Sequence, residues 1–138
     1  MLLYTKIKEV QYLQYIGKIN REMFKKISNQ IITEEVILTS KQREHIEERH
    51  PGILEKYEKY FYNILDKPDY ILKDNIRKNT ALILKRIENK KESVNLVLRL
   101  AVEGENVNNK NSIITCIPIG KNRLKSYINN GKIIYKNE

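Results

Sequence analysis

The chain has 138 residues, a length that fits one domain able to bury a core without disulfides or bound metal. Apolar residues make up 41% and charged residues 31%, which excludes a disordered chain, and no apolar stretch is long enough to span a bilayer. The single cysteine, Cys116, excludes a disulfide framework. The net charge of +9 attracts phosphate backbones or anionic membrane surfaces; the alternative is that the charge serves solubility or reflects a lysine-rich composition.

The first third of the chain is predicted to contain short strands and a helix. Loose alternation of apolar residues predicts a strand over residues 11–19. Apolar residues at helical spacing predict a helix over residues 20–27, and a short apolar run over 35–38 indicates a second strand or an extended lead-in to the next helix.

Two consecutive helices are predicted next. Thr39, followed by Gln42 three residues later, is typical of a capped helix start. This helix must end at Pro51, because proline pushes the preceding residue out of the helical region. A second helix over residues 52–65 carries apolar residues at steps of three and four, which is the clearest helical pattern in the chain.

The second half of the chain is predicted to be mainly β. Strands are expected over 70–73, 80–87, 93–102, 111–117 and 132–135, with a short helix over 120–128. Helices followed by an antiparallel meander predict an α+β fold in which the helices cover one face of the sheet. The opposite face is expected to be open, with Arg99 pointing into it.

Both histidines of the chain lie on the helix that starts after Thr39. His45 and Arg49 are four residues apart and share a helical face, whereas His50 lies about 140° from His45 on an ideal helix. His50 is also at the C-terminal end, where the helix dipole favours a cation. Such residues could supply acid, base or phosphate-binding groups; the alternative is a solvated, charged helix. A zinc site is not favoured, because no third ligand is evident.

Cations and hydroxyls on the predicted strands form a second candidate set. Lys85 and Arg86 end one strand on opposite faces, so only one of them can face a site on the sheet. Arg99 is the favoured phosphate ligand, with a charge that only keeps the sheet soluble as the alternative. By the parity of a regular strand, Ser112 and Thr115 point to opposite faces.

Several segments together resemble a known group of nucleases. They are residues 44–51, 67–71, 79–80, 111–115, 123–127 and 134–135. In this order they resemble the phage-associated nuclease domains grouped with barnase, EndoU, colicin and RelE toxins, over about residues 30–136. The resemblance implies N-terminal helices packed on one face of a roughly four-stranded antiparallel sheet, with catalysis on the open face.

The grouped families do not share one catalytic set, so the resemblance favours roles for the candidate residues without fixing them. The catalytic set is expected to be His45, His50, Arg49 and Thr115. The residues expected to bind RNA or phosphate are Lys85, Arg86, Arg99, Ser112, Arg123, Lys125, Tyr127 and Tyr135. In RelE-like relatives, basic and aromatic residues such as Arg123, Lys125, Tyr127 and Tyr135 can replace histidine as the acid–base set. In this chain, RNA docking is favoured for these four residues.

The sequence and the resemblance predict a cytoplasmic, metal-independent RNA endonuclease with no cofactor. It is expected to use the 2′-hydroxyl as nucleophile and to leave a 2′,3′-cyclic phosphate, with tRNA as a candidate target of a toxin-like activity. The alternatives are a non-catalytic RNA-binding or phage-assembly module, and a domain that docks an acidic inhibitor or antitoxin protein. We expect a single domain over residues 1–138, with 1–30 as an N-terminal extension, and no membrane partner.

Overall fold

The structure is a computed structural model that describes residues 12–87 and 92–137. A mixed sheet of seven strands forms the centre of this part of the chain. The strands are β1 (Leu13–Lys18), β2 (Glu35–Thr39), β3 (Tyr70–Lys73), β4 (Thr80–Arg86), β5 (Ser93–Arg99), β6 (Asn111–Ile119) and β7 (Lys132–Lys136). Their order across the sheet is β1-β2-β6-β5-β4-β3-β7. The predicted turn at 88–92 falls largely outside the described residues.

The helices are short and lie mainly between β1 and β3. They are α1 (Arg21–Phe24), α2 (Ser40–Arg49), α3 (Ile53–Tyr57), α4 (Phe61–Asp66) and α5 (Lys121–Asn130). The helix predicted over 52–65 is divided by a 3-10 turn at Glu58–Tyr60, although its apolar stripe still enters the core. No helix within the described ranges is long and apolar enough to cross a bilayer.

The predicted α+β class is confirmed, but the predicted architecture is wrong in detail. β1 and β2 form an antiparallel hairpin, and β2 joins the sheet by pairing in parallel with the start of β6. The sheet is therefore mixed and larger than the four antiparallel strands expected. The helices are also not N-terminal to the sheet as predicted, because β1 precedes them and α5 follows β6. Loose alternation predicted β1, and a short apolar run indicated a strand or an extended lead-in at β2. The parallel partner of β2 could not be predicted, because β6 lies more than 70 residues later in the chain.

The main core lies between the sheet and the helices that precede β3. It includes Tyr57, Phe61, Ile64, Val94, Leu96, Leu98 and Leu100. The predicted alternation along residues 93–102 is thus confirmed, because every second residue of this segment enters that core. Fully burying one such side chain stabilises the fold by about 1.5–3 kcal/mol.

The opposite face of the sheet is only partly open. Leu72, Leu84 and Ile119 form a smaller buried cluster on that face, and Leu124 and Tyr127 of α5 pack against it. The expectation of a fully open face is therefore wrong for the part under α5, since apolar residues of β3, β4 and β6 need a cover. The part of the face nearer α2 remains accessible and forms cavities.

A bulge in β6 changes which of its residues share a face. Ile113 and Thr115 pair with consecutive residues of β5, so Ile114 has no partner on that strand. The extra residue reverses the alternation, and Ser112 and Thr115 lie on the same face of the sheet. The prediction that they lie on opposite faces is wrong, because it assumed an unbroken ladder.

Candidate active site

A cavity of about 350 Å³ opens between α2 and β6. We call it the histidine cavity; it is lined by Gln42, His45, Ile46, Arg49, His50, Arg77, Ile114, Thr115 and Ile117. The structure thus brings together all four residues that the sequence predicted as catalytic. They come from two segments about 65 residues apart in the chain, and the β3–β4 loop adds Arg77.

The helix α2 presents its candidate residues through ordinary helical spacing. Thr39 caps it, and the threonine side chain accepts a 3.1 Å hydrogen bond from the Gln42 amide, as predicted. Ile46 is buried in the core and fixes the rotation of the helix about its axis. His45 and Arg49 flank this anchored position and are exposed, so the inward edge of α2 forms one wall of the cavity.

His50 lines the same cavity because the chain leaves the helix at this residue. It is the C-cap, with φ −137° and ψ 72°, and its amide still donates to Ile46 O. Pro51 and Gly52 then form a tight turn in which the Ile53 amide donates to His50 O at 3.1 Å. Gly52 has φ +86° and ψ −6°, the values of the third residue of a type II turn. The ideal-helix angle between the two histidines therefore does not apply.

Thr115 reaches the cavity through the bulge in β6. Gln42 Nε2 donates a 2.8 Å hydrogen bond to the carbonyl of Ile114, which the bulge leaves without a ladder partner on β5. This bond ties α2 to the strand at the residue before Thr115. Thr39 and Gln42 therefore do not cap the helix reciprocally: Thr39 accepts from the Gln42 amide, whereas the Gln42 side chain bonds to β6 rather than to the start of its own helix.

Arg77 is a residue of the site that the sequence analysis missed. Its Nε donates a 2.7 Å hydrogen bond to Asp74, which is 8% exposed and also accepts from the Ile76 amide at 2.9 Å. Burial raises the pKa of Asp74, but the Ile76 amide and the Arg77 guanidinium outweigh it, so the net pKa lies below its ordinary value. The sequence did contain a pattern that could have indicated this loop: the turn-forming pair Asp74-Asn75, followed by the cations Arg77 and Lys78, lies between two predicted strands.

The histidine cavity is basic, and four of its polar side chains are available to a ligand. Its lining includes two arginines and two histidines and no carboxylate. The side chains of His45, Arg49, His50 and Thr115 make no hydrogen bond or ion pair with any other residue in the described ranges. An anion that enters the cavity can therefore meet several donors without first breaking internal contacts.

A second cavity of about 320 Å³ adjoins the first, and the two share Arg77 and Ile117. We call it the asparagine cavity, because Asn95 of β5 lies in its lining. The predicted RNA-binding residues Arg123 and Tyr127 line it from α5. The arginine guanidinium carbon lies 6.0 Å from the centre of the tyrosine ring, within the range of a cation–π contact.

Other predicted phosphate ligands lie away from the histidine cavity. Lys85 and Arg86 line a cavity on the other side of α5, where Lys85 Nζ lies 3.4 Å from Asp69. The Arg86 amide also donates to Asp69, at 2.7 Å. This acidic partner comes from the loop before β3 and could not be recognised from the sequence around either cation.

Arg99 and Ser112 line a fourth cavity, and Arg99 forms an ion pair with Glu105. The residue expected to be the main phosphate ligand is thus engaged by a carboxylate and is not part of the histidine cavity. Tyr135 packs half-buried against the main core. Lys125 is exposed on α5 and is not among the residues that line these four cavities.

A comparison with known protein families identifies the chain. The family model described as phage-Barnase-EndoU-ColicinE5/D-RelE like nuclease2 matches residues 11–136. The chain belongs to this nuclease family. The resemblance noted in the sequence is confirmed, and the match begins before residue 30, so it includes β1. No curated protein and no solved structure matches this nuclease.

Proposed function

We propose that this nuclease is an RNA endonuclease that cleaves by transesterification and needs no metal ion. The observation that carries the proposal is the histidine cavity, in which two histidines, two arginines and a threonine line one basic space. Proton-transfer groups and phosphate ligands are the two requirements of this chemistry. The family supplies the coarser part of the argument, because a nuclease acts on a nucleic acid.

The proposed reaction begins inside the RNA. A base removes the proton of a ribose 2′-hydroxyl, and the 2′-oxygen forms a bond to the adjacent phosphorus. The bond from phosphorus to the 5′-oxygen of the next nucleotide breaks, and an acid gives a proton to that oxygen. The products are a 2′,3′-cyclic phosphate and a 5′-hydroxyl, and the protein forms no covalent intermediate.

Within this proposal, His45 is the base and His50 is the acid. His50 is the C-cap of α2 and His45 lies five residues earlier, so the two imidazoles line the cavity from different positions along the helix. Arg49 and Arg77 bind the non-bridging phosphate oxygens, where negative charge grows in the transition state. The Thr115 hydroxyl donates to one of the same oxygens.

The first experiment asks whether the purified protein cleaves RNA in EDTA. We expect fragments that end in a 2′,3′-cyclic phosphate and a 5′-hydroxyl. An RNA of the same sequence with 2′-O-methyl groups, and the corresponding DNA, should stay intact because they lack the nucleophile. Intact RNA that is bound in a salt-dependent way would instead identify a non-catalytic RNA-binding module.

The second experiment separates the two histidine roles. His50→Ala should lose most activity on RNA but recover on a uridine 3′-phosphodiester with a nitrophenol leaving group, which needs no acid. His45→Ala should stay inactive on both substrates, because the 2′-hydroxyl still needs a base. Glu48→Ala, an exposed change on the same helix, is the matched control. Full activity of both histidine variants would remove these assignments.

We further propose a toxin-like role in the cytoplasm, with tRNA as a target and an acidic inhibitor that covers the basic cavity. The absence of carboxylates from the cavity lining supports both kinds of partner. Expression in a host cell tests the idea, because growth should stop unless His45 and His50 are replaced. Sequencing of the host RNA ends should show whether the cuts fall in tRNA.

A further inference from the structure

Asn95 is a buried polar residue whose hydrogen-bonding capacity is only partly used. It lies in the middle of β5 and is 1% exposed. Its Oδ1 atom has no hydrogen-bond partner among the described residues, and its Nδ2 makes only a long, 3.4 Å contact with the Tyr127 hydroxyl. A buried acceptor without a partner destabilises a fold. A ligand that donates a hydrogen bond to Asn95 Oδ1 would remove this cost, which is why we consider Asn95 a candidate ligand-binding residue.

The cavity in front of Asn95 has the composition of a small-molecule site. Its volume of about 320 Å³ falls in the range of roughly 300–1,000 Å³ typical of ligand sites. Apolar side chains of the sheet form much of its lining, namely Leu72, Leu82, Val97 and Ile117. Lys73, Arg77 and Arg123 add positive charge around them, and Asp74, which is paired with Arg77, adds one carboxylate. A flat, uncharged group with a polar edge, joined to a phosphate, fits this combination.

We propose that the asparagine cavity binds a nucleobase of the RNA, and that Asn95 Oδ1 accepts a hydrogen bond from an N–H group on the edge of that base. This inference rests on the proposed function, because the base belongs to a nucleotide whose phosphate enters the histidine cavity. Asn95 is then a residue that determines specificity, whereas the histidines perform the chemistry.

The positions of the two cavities support this arrangement. Thr115 pairs with Val97, and Asn95 lies two residues before Val97 on the same face of β5, roughly 7 Å from Val97 along the strand. That separation is within the reach of one nucleotide. Arg77 lines both cavities and so stands where the sugar-phosphate would pass between them.

The α5 side of the cavity offers surfaces on which a base can stack. Tyr127 is half-buried and lines the cavity, with the Arg123 guanidinium beside its ring. Unpaired RNA bases are commonly stacked on tyrosine rings and on arginine planes while their edges are read by hydrogen bonds. The edge contact from Asn95 and the stacking surface from α5 therefore supply the two usual elements of base recognition.

The test measures binding of short RNAs that cannot be cleaved. Dinucleotides with a 2′-O-methyl group are titrated into the wild-type protein, and each base is compared with an analogue that lacks its N–H donor, such as purine for adenine or 3-methyluracil for uracil. For the preferred base, loss of the donor should weaken binding roughly tenfold to a hundredfold. Equal binding of base and analogue for all four bases would overturn the inference without any variant.

Variants of Asn95 then locate the effect. In Asn95→Leu, the difference between base and analogue should disappear, while the melting temperature should be kept or raised because an unpaired buried acceptor is removed. Tyr127→Phe keeps the ring but removes the hydroxyl beside Asn95, and it should reduce the discrimination in a protein that still folds. Asn63→Leu, an exposed change on α4, is the control. Discrimination that persists in Asn95→Leu would contradict the assignment.

The outcomes for this site and for the proposed function can be distinguished. Cleavage of RNA to cyclic phosphate ends, together with no base discrimination, would reject the nucleobase site and leave the ribonuclease proposal in place. Discrimination between base and analogue, together with intact RNA after incubation, would support the nucleobase site and reject the proposed chemistry.

Discussion

Gln42 Nε2 donates a 2.8 Å hydrogen bond to the carbonyl of Ile114, 72 residues later in the chain. The bond joins the helix that carries His45 and Arg49 to the strand position before Thr115. Ile114 is the bulged residue of β6, so its carbonyl has no ladder partner on β5 and takes a side-chain donor instead. One hydrogen bond therefore helps to fix the spacing between the two walls of the histidine cavity.

Gln42→Ala should lower kcat more than its effect on stability would explain. Loss of one partly buried hydrogen bond should reduce the free energy of unfolding by about 1 kcal/mol. The displaced wall should lower kcat on RNA by roughly tenfold to a hundredfold, because catalytic groups tolerate little misplacement. Urea unfolding and steady-state cleavage measure the two effects.

Gln30→Ala, an exposed change with no side-chain hydrogen bond within the described residues, should alter neither quantity. A normal kcat in Gln42→Ala would show that the bond does not position the site.

The helix with the two histidines could be predicted from the sequence because its signals are local. The Thr39 cap, the helical spacing and the stop at Pro51 each depend on neighbouring residues. The shared cavity could not be predicted in the same way. His50 reaches the histidine cavity because of its non-helical C-cap geometry, and Thr115 reaches it because of a bulge in β6. A single sequence reveals neither feature.

The choice among basic residues also could not be made from the sequence. Arg99 was favoured over other cations because it lies on the polar face of a regular strand, yet Glu105 pairs with it in the fold. Arg77 lies in the loop between β3 and β4, where the alternation of apolar and polar residues along a strand makes no prediction. Its position depends on the ion pair with Asp74. Charge alone identifies which residues can bind phosphate, but the partners that occupy or position them appear only when the chain is folded.

The second prediction concerns Asp74 and the dependence of stability on pH. The pKa of Asp74 lies below its ordinary value of 3.8, since the Ile76 amide and the Arg77 guanidinium outweigh the effect of burial. The carboxylate therefore stabilises the fold fully above pH 3.8, and this contribution is lost as the pH falls through the lower pKa of the folded state. Asp74→Asn should lower the free energy of unfolding by about 1–3 kcal/mol at neutral pH.

Chemical unfolding at a series of pH values checks this prediction. The difference between wild type and Asp74→Asn should shrink as the pH drops below 3.8. Asp66→Asn removes an exposed carboxylate on α4 and should show little difference at any pH. A gap between wild type and Asp74→Asn that stays constant at acid pH would mean that ionisation of Asp74 does not contribute to stability.

Gly52→Ala should damage both stability and activity. Gly52 has φ +86°, and a residue with a β-carbon loses about 1–2 kcal/mol in this left-handed conformation, although no atom within 4 Å would contact the added carbon. The strain falls in the turn that immediately follows His50, so we expect a lower kcat at temperatures where the variant is folded. Gly104→Ala is the matched control, since Gly104 has φ +94°, also has no neighbour within 4 Å, and lies in the loop between β5 and β6. It should lose similar stability and keep its kcat. Equal kcat values for the two variants would show that the turn after His50 does not position the acid.

Cys116 should resist thiol reagents for as long as the protein is folded. The side chain is fully buried, and burial raises the pKa of its thiol to about 12. At neutral pH the thiol is therefore protonated, and the thiolate that attacks such reagents is scarce. Because Cys116 is the single cysteine of the chain, each labelling event reports on the same core position of β6. Labelling should be complete in denaturant, and in native buffer it should proceed only as fast as the core opens. Rapid labelling in native buffer, at a rate that denaturant does not increase, would contradict the burial of this strand.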